Sequence, residues 1–439
     1  MKIEIPAYIN SVIKRYYSAG FEAFCVGGAV RDSILKTTPE DWDITTNALP
    51  EETKKLFPDI KTVDTGIKHG TVSLVINRKC VEVTTYRTDG EYKDRRHPES
   101  VSFTRSLTED LKRRDFTVNA IAYNNEKGIV DPFCGCDDIY NSIIRAVGDP
   151  DRRFKEDGLR ILRALRFSSV LGFGIEENTK AAIHKNKELL KDISQERIAA
   201  ELTKMLVGKN IFGVLKEYYD VLGVFIPEIL PAVGFKQYGK KHAYDVWEHT
   251  LHTVETIPPD KTLRLTMLLH DLGKIETHRL CENGDSSFKN HAAVGGEIAK
   301  KILTRLKFDK KTIARVSFLV SHHDFEPPET KIELKKKMKE LSPDDVRTLL
   351  SLKKSDRGAL SEAYRNIEKE SERTLLWLKE IEENNECTKI CDLKINGNDL
   401  IKAGLRGEEV GKALDTALDA VIEGKVVNNR NDLLTYILQ

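Results

Sequence analysis

The stretch Gly27-Gly28-Ala29-Val30-Arg31-Asp32, followed after a short gap by Asp41-Trp42-Asp43-Ile44-Thr45-Thr46, constrains this chain more than any other. Phe21 to Val26 is apolar and aromatic-rich and ends at the glycine pair, whereas Ala29 to Lys36 spaces Val30, Ile34 and Leu35 along one side of a helix. The segment reads as strand, tight turn and helix start. Without side chains, Gly27 and Gly28 let backbone amides approach a phosphate, and the helix N-terminus behind them favours negative charge. Arg31 supplies a guanidinium one turn in. If Asp41 to Thr46 is a strand, its period of two puts both carboxylates on one face. Such a pair suits Mg²⁺, which takes oxygen ligands and leaves room for phosphates; two such ions can activate a hydroxyl and stabilise departing pyrophosphate. Val81 to Arg87 has strand composition, and Glu82 is the candidate third acid. Asp-x-Asp in isolation is more often a solvated turn or a helix cap, so the glycine motif ahead of it carries the weight.

In order and spacing this combination resembles the nucleotidyltransferase superfamily that includes DNA polymerase β. In detail it is similar to the class II, bacterial-type, CCA-adding tRNA nucleotidyltransferases and poly(A) polymerases. Lys112-Arg113-Arg114-Asp115-Phe116-Thr117-Val118-Asn119-Ala120 resembles that family's second motif. The resemblance implies that Gly28, Arg31 and Arg114 bind nucleotide and that Asn119 supports ribose or metal geometry. Asp131-Pro132-Phe133-Cys134-Gly135-Cys136-Asp137-Asp138-Ile139 resembles its hinge motif, and Ser194 to Glu201 its fifth motif, which stabilises the base-reading helix.

Substrate choice can be argued from the fourth motif, Glu156-Asp157-Gly158-Leu159-Arg160 through Arg163 and Arg166. At i and i+3 on a helix, Asp157 and Arg160 lie side by side and can face one base edge. Cytosine and adenine each offer an amine donor beside a ring-nitrogen acceptor, which matches a carboxylate beside a guanidinium; uracil and guanine present the reverse. An unpaired buried polar edge costs about 1–3 kcal/mol per group, enough for a protein-only template to take CTP and ATP and refuse UTP and GTP. The bland alternative is an ordinary i, i+3 ion pair. Arg163 and Arg166 extend the basic row toward phosphates or tRNA, and in the family both positions contact nucleotide.

The polar, turn-rich run Arg87 to Pro98 reads as a mobile loop beside the site. It resembles the loop of enzymes that add the terminal A, and the arginine-rich G-R-R-F type signature of bacterial poly(A) polymerases is not seen. The resemblance therefore implies addition of CCA to the tRNA 3′ end from CTP and ATP, with an enzyme adding only the A as the near alternative.

A second constellation follows: His249, His270-Asp271-Leu272-Gly273-Lys274, His291, His322-His323-Asp324 and Asp356. This is the order of an HD domain. Imidazoles and carboxylates on apolar helices suit a transition metal (Ni, Mn, Fe or Co), with one or two ions generating hydroxide for phosphate-ester hydrolysis. By resemblance the ligands are His249, His270, Asp271 and Asp356, with His291 and His322, or its neighbour His323, completing a second set. A metal-dependent phosphohydrolase is thus a rival main activity. A relic helical module kept for packing and RNA contact is the structural alternative, and an RNA-binding factor with a dead transferase fold is a further rival.

The 439 residues, 40% hydrophobic, suffice for two or more cores. No apolar run reaches the ~18 residues that span a bilayer, Met1 to Pro6 is no signal sequence, and seven irregularly spaced cysteines argue for reduced thiols. A cytoplasmic enzyme is expected, with tRNA and nucleotides as partners and neither membrane nor obligatory protein partner evident. A net charge of +1 gives no global pull toward RNA, so binding falls to local patches. The basic run Lys331 to Lys339 reads as a solvated helix face. The expected class is α+β: a polymerase-β-like mixed sheet with helices over 1–150, then an all-helical remainder with a base-reading neck at 151–225, an HD-containing body at 226–370 and a tRNA-binding tail at 371–439.

Overall fold

The computed structural model describes residues 2–64, 66–90 and 101–439. It divides into two compact units, residues 1–230 with 305–308, and residues 231–304 with 309–439. The first unit contains both the expected catalytic region and the expected neck, and the division falls at 230.

The first unit opens with α1 (Ala7–Ser18), β1 (Ala23–Val26), α2 (Gly28–Ile34), β2 (Asp43–Thr46), α3 (Pro50–Leu56), β3 (Thr62–Val63), β4 (Thr71–Ile76) and β5 (Lys79–Thr85). It continues with β6 (Arg87–Asp89), β7 (Val101–Phe103), α4 (Leu107–Lys112), β8 (Ala122–Asn124), β9 (Gly128–Val130) and α5 (Gly135–Tyr140). Seven strands form one sheet in the order β3-β4-β5-β2-β1-β8-β9. Only the β2–β5 pairing is parallel, so the sheet is mixed as expected. The β4–β5 hairpin turns at Asn77 and Arg78, both at positive φ, the pairing of dihedrals that matches the twist of a two-residue hairpin. Phe24, Val26, Tyr86, Leu111, Ala120, Ala122 and Val147 bury together beneath the sheet.

The loop expected from Arg87 onward begins as strand: Arg87–Asp89 pairs antiparallel with Val101–Phe103. Residues 91–98 of that expectation lie outside the described residues.

The first unit goes on with β10 (Ile143–Ile144), α6 (Pro150–Glu156), α7 (Leu159–Leu171), β11 (Gly174–Ile175), α8 (Glu177–Asn186), α9 (Gln195–Leu206), α10 (Ile211–Glu217) and α11 (Tyr219–Leu222). Asp149 caps α6 through the amide of Asp151, with Pro150 at the first helical position. Helix α7 ends at Gly172, whose φ of 71° is the left-handed stop that a residue with a Cβ resists. Ile161, Leu162 and Leu165 of α7 are essentially inaccessible, and burying each is worth roughly 1.5–3 kcal/mol. The all-helical expectation for this part needs correction, because β10 and β11 form a short parallel pair.

The second unit holds α12 (Val246–Thr256), α13 (Lys261–Leu269), α14 (Gly273–Thr277), β12 (Arg279–Leu280), β13 (Ser286–Ser287), α15 (His291–Arg305) and α16 (Lys310–Ser321). It closes with α17 (Lys331–Lys337), α18 (Pro343–Gly358), α19 (Glu368–Glu383), α20 (Gly397–Lys402), α21 (Glu408–Ile422) and α22 (Arg430–Leu438). A small β12–β13 hairpin again interrupts the expected all-helical body. The basic run on and after α17 is not a free solvated face. Lys331 reaches Glu380 and Glu386, Lys335 Glu386, Lys336 Glu423, and Lys339 both Asp415 and Asp419, all within 3.0 Å. Among the described residues no helix is long and apolar enough to cross a membrane.

Candidate active site

Strand β1 runs into the glycine turn, and its last residue, Val26, lies opposite Asp43 on antiparallel β2. The acids thus begin where the glycines end. Trp42 and Ile44 are buried, which leaves Asp41 and Asp43 exposed at alternate positions. Because Ile44 pairs with Val83 in parallel register, Glu82 stands one residue back on β5, level with Asp43, and is likewise exposed between buried Val81 and Val83. Crowding by protein, then the Glu82 charge and more weakly that of Asp41, pushes the Asp43 carboxyl up to about 6 against the pull of Arg114. Hard oxygen donors whose charges repel one another are the donor set a divalent cation relieves, and Asp41 and Asp43 of this trio line a cleft.

Gly27 has φ +75°, and a Cβ there would meet the Arg114 guanidinium at 3.2 Å. Arg114 is therefore laid across the turn, within electrostatic reach of Asp43. Sequence reasoning missed its support. Asp110 is wholly buried and accepts from Thr45 Oγ1 at 3.0 Å and from Arg113 at 2.8 and 3.0 Å, with Arg114 at 3.7 Å. Arg31 donates to Asn119 Oδ1 at 2.7 Å and pairs with Asp32, and Asn119 donates on to Asp115 Oδ1 at 3.1 Å. A cleft of about 600 Å³ is lined by Gly28, Arg31, Asp41 and Asp43 together with Val170, Phe173 and Lys209.

The base-reading pair is arranged differently from a simple i, i+3 couple. Asp157 sits in extended backbone between α6 and α7, because Gly158 starts the second helix. Its carboxylate accepts from the Leu159 amide at 3.0 Å and from Arg197 at 2.9 Å. Arg160 is buried and donates to Glu156 at 2.7 Å, to the Arg153 carbonyl and to the Arg113 carbonyl. Arg163 and Arg166, expected beside phosphates, are tied to Asp115 and Glu201, and Arg166 also covers the Phe167 ring at 4.0 Å.

Three family models cover successive parts of the chain: Poly A polymerase head domain over residues 23–145, "Probable RNA and SrmB- binding site of polymerase A" over 172–230, and tRNA nucleotidyltransferase domain 2 over 291–437. Over 209 residues, 48% of this chain and 52% of the relative, it is 53% identical to the CCA-adding enzyme of Lactobacillus helveticus (strain DPC 4571). With that of Geobacillus kaustophilus (strain HTA426) identity is 53% over 225 residues, 51% of this chain and 54% of the relative. These matches span about half the length of each relative. The CCA-adding enzyme of Limosilactobacillus fermentum (strain NBRC 3956 / LMG 18251) is 35% identical over 440 residues, 99% of this chain and 98% of that one.

The chain belongs to the CCA-adding enzyme family.

A crystal structure of the Bacillus stearothermophilus CCA-adding enzyme in complex with CTP shares the architecture, with a TM-score of 0.71 at 30% identity over 98% of this chain and 96% of that one. The Thermotoga maritima CCA-adding enzyme complexed with tRNA_CCA matches in fold, with a TM-score of 0.60 at 20% identity over 100% and 99%.

The second unit gathers a cluster of its own. His249, His270 and Asp271 form one group of converging ligand atoms and Asp271, His291 and His323 another, so that Asp271 belongs to both. Asp356 Oδ1 joins the first at 3.0 Å from His249 Nε2. His322, expected in this set, is not in it. It turns its Nδ1 back to the Phe318 carbonyl, and its neighbour His323 takes the inward place. His270, His291 and His323 each donate from Nδ1 to a backbone carbonyl three residues earlier, at 2.7–2.9 Å, which leaves every Nε2 as an inward-facing acceptor. Two of those acceptors, on His291 and His323, stand 3.1 Å apart. Burial is the main cause that pushes His323 down to about 4, keeping its ring in the neutral, ligating form. His270 Nε2 and Asp271 Oδ1 are buried without a hydrogen-bond partner. Orphaned donors of this kind fit a metal ion. Lys274 flanks the cluster, 2.7 Å from Asp271 Oδ2 and 2.9 Å from Gln237 Oε1.

Proposed function

We propose that this chain adds C, C and A to the 3′ end of tRNA, taking CTP and ATP and releasing pyrophosphate, without a nucleic-acid template. The observation that carries the reading is the parallel β2–β5 register, which sets Glu82 level with Asp43 beside the glycine turn. The tRNA 3′-oxygen attacks the α-phosphorus in line as its proton leaves, and the bond to the β-phosphate oxygen breaks. Asp41, Asp43 and Glu82 are the residues to hold Mg²⁺, which supplies charge neutralisation at the reacting phosphates. Gly27 and Gly28 admit the triphosphate to the backbone amides of α2, and Arg114, laid over that turn, meets its negative charge. Arg31 holds Asn119 toward the ribose. Asp157 and Arg160 read the base edge, Arg160 exchanging its Glu156 bond for the incoming ring nitrogen. Arg163 and Arg166 keep the base-reading helix in place while bordering the nucleotide.

The test is incorporation of labelled CTP and ATP, singly and together, onto tRNA transcripts ending before CCA, after C and after CC. Ordered addition of C, C and A supports the proposal. Incorporation only onto the CC-ended transcript makes this an A-adding enzyme, and none at all removes the transferase reading.

A second activity is favoured by the cluster around Asp271. We infer a metal-dependent phosphohydrolase of the HD type, with His249, His270, Asp271 and Asp356 as one ligand set and Asp271, His291 and His323 as the other. Ni, Mn, Fe or Co suits its imidazole-rich donors. Release of phosphate from 2′,3′-cyclic nucleotides or terminal phosphomonoesters, lost in His270→Ala with nucleotide transfer intact, is the expected result; no metal uptake would leave a packing module.

A further inference from the structure

We propose that Lys209 is a phosphate-binding residue of the transfer cleft, an inference that rests on the nucleotidyl-transfer reading. Lys209 occupies the two-helix turn between α9 and α10, and that turn is fastened to the C-terminal end of α7. Ser169 Oγ donates to the Met205 carbonyl at 2.7 Å, and the Asn210 amide donates to the Ser169 carbonyl at 3.0 Å. A Cβ at Gly208 would lie 2.2 Å from Ser169 Oγ, so a glycine is required for the turn to dock this closely. The Lys209 side chain then runs over Gly172: a Cβ there would sit 2.5 Å from Cε and 3.4 Å from Nζ. Gly172 combines the left-handed helix stop with the open space through which the lysine stem passes.

The ammonium delivered by this device lines the same cleft as Gly28, Arg31, Asp41 and Asp43. The other cation lining this cleft, Arg31, is engaged by Asp32 and Asn119. Among the described residues no carboxylate lies in ion-pair range of Lys209. An unneutralised cation whose stem is already ordered loses little conformational entropy when it engages an anion. It also offsets the repulsion that Glu40, Asp41 and Asp43 in the same cleft exert on a phosphate. The ligand is a phosphate oxygen, either of the nucleotide triphosphate or of the tRNA 3′ backbone.

Lys209→Met keeps the stem and removes the charge, and Lys209→Arg keeps the charge. KM for CTP and KM for a tRNA transcript ending before CCA are measured for both variants, with melting midpoints compared to the wild type. Loss of one charge-assisted bond predicts a KM rise of about tenfold for Lys209→Met, confined to one substrate, with Lys209→Arg restoring most of it. A rise in KM for CTP identifies the triphosphate. A rise in KM for tRNA, with a log–log salt slope shallower by about 0.7–0.9, identifies a backbone phosphate. Both KM values within twofold of the wild type, or equal damage from Met and Arg, overturn the proposal. If the wild type transfers nothing, the transfer reading fails by itself, and filter binding of the same tRNA and equilibrium binding of CTP to the wild type and Lys209→Met still decide the role of Lys209.

Discussion

Arg163 donates through Nε and a terminal nitrogen to a single oxygen of Asp115, at 2.8 and 2.6 Å, while Asn119 and the Phe116 amide hold the other oxygen. Burial alone would raise that carboxyl, but Arg163 and the Asn119 bond hold it down to about 2. A depressed carboxylate contributes stability that is complete above its unfolded value of about 3.9 and is lost as pH falls through the folded value. Asp115→Asn should lower stability at neutral pH by about 2 kcal/mol, less than for a fully buried pair because Arg163 is partly exposed. Urea unfolding at pH 6 and pH 2.5 checks this: the gap between variant and wild type narrows at the lower pH. An unchanged gap rules out the ion pair as its source.

Asp43 has the opposite bias. With its carboxyl raised to about 6, the folded chain binds this proton more tightly than the unfolded chain, so ionisation from about pH 4 to pH 6 works against folding. Asp43→Asn should abolish Mg²⁺-supported transfer, and in metal-free protein it should raise the melting midpoint at pH 7.5 with little change at pH 4. A midpoint that falls at both pH values shows the carboxylate to be structurally required instead.

Arg160→Ala should reduce discrimination of CTP and ATP against UTP and GTP by at least about tenfold, since the pairing edge is worth a few kcal/mol, while leaving measurable transfer. Incorporation of all four nucleotides onto one transcript measures it. Undiminished discrimination sinks the base-reading role.

For the second unit, metal binding to the folded state alone raises its melting midpoint in proportion to the logarithm of free metal over Kd. Titration with Mn²⁺ or Ni²⁺ should show that His323→Ala removes uptake at one of the two groups, whereas His322→Ala changes nothing. Equal effects from the two would contradict the geometry around Asp271.

The transferase core was legible because its signals are local. Turn chemistry and a period of two gave the glycine turn, the alternation of Asp41 and Asp43 and the Glu82 strand without reference to distant residues. Long-range partners were not legible: Asp110 went unassigned, and although Ser194 to Glu201 was read as stabilising the base-reading helix, nothing in the sequence says that Arg197 meets Asp157 and Glu201 meets Arg166. Asp157 was misplaced onto the helix although Gly158 after it marks a helix start. The choice between His322 and His323, left open by the sequence, could have been made. Val316, Leu319 and Val320 bury along α16, and 323 is the next position of that stripe, with His322 off it.

The lysines of α17 bear on how this chain meets a polyanion. Lys331, Lys335, Lys336 and Lys339 already have carboxylate partners on Glu380, Glu386, Glu423, Asp415 and Asp419. RNA binding gains from the counterions that phosphates shed when new cations arrive. Cations already neutralised within the chain displace fewer counterions, so in the proposed RNA binding these four lysines contribute less to the salt dependence than their number implies.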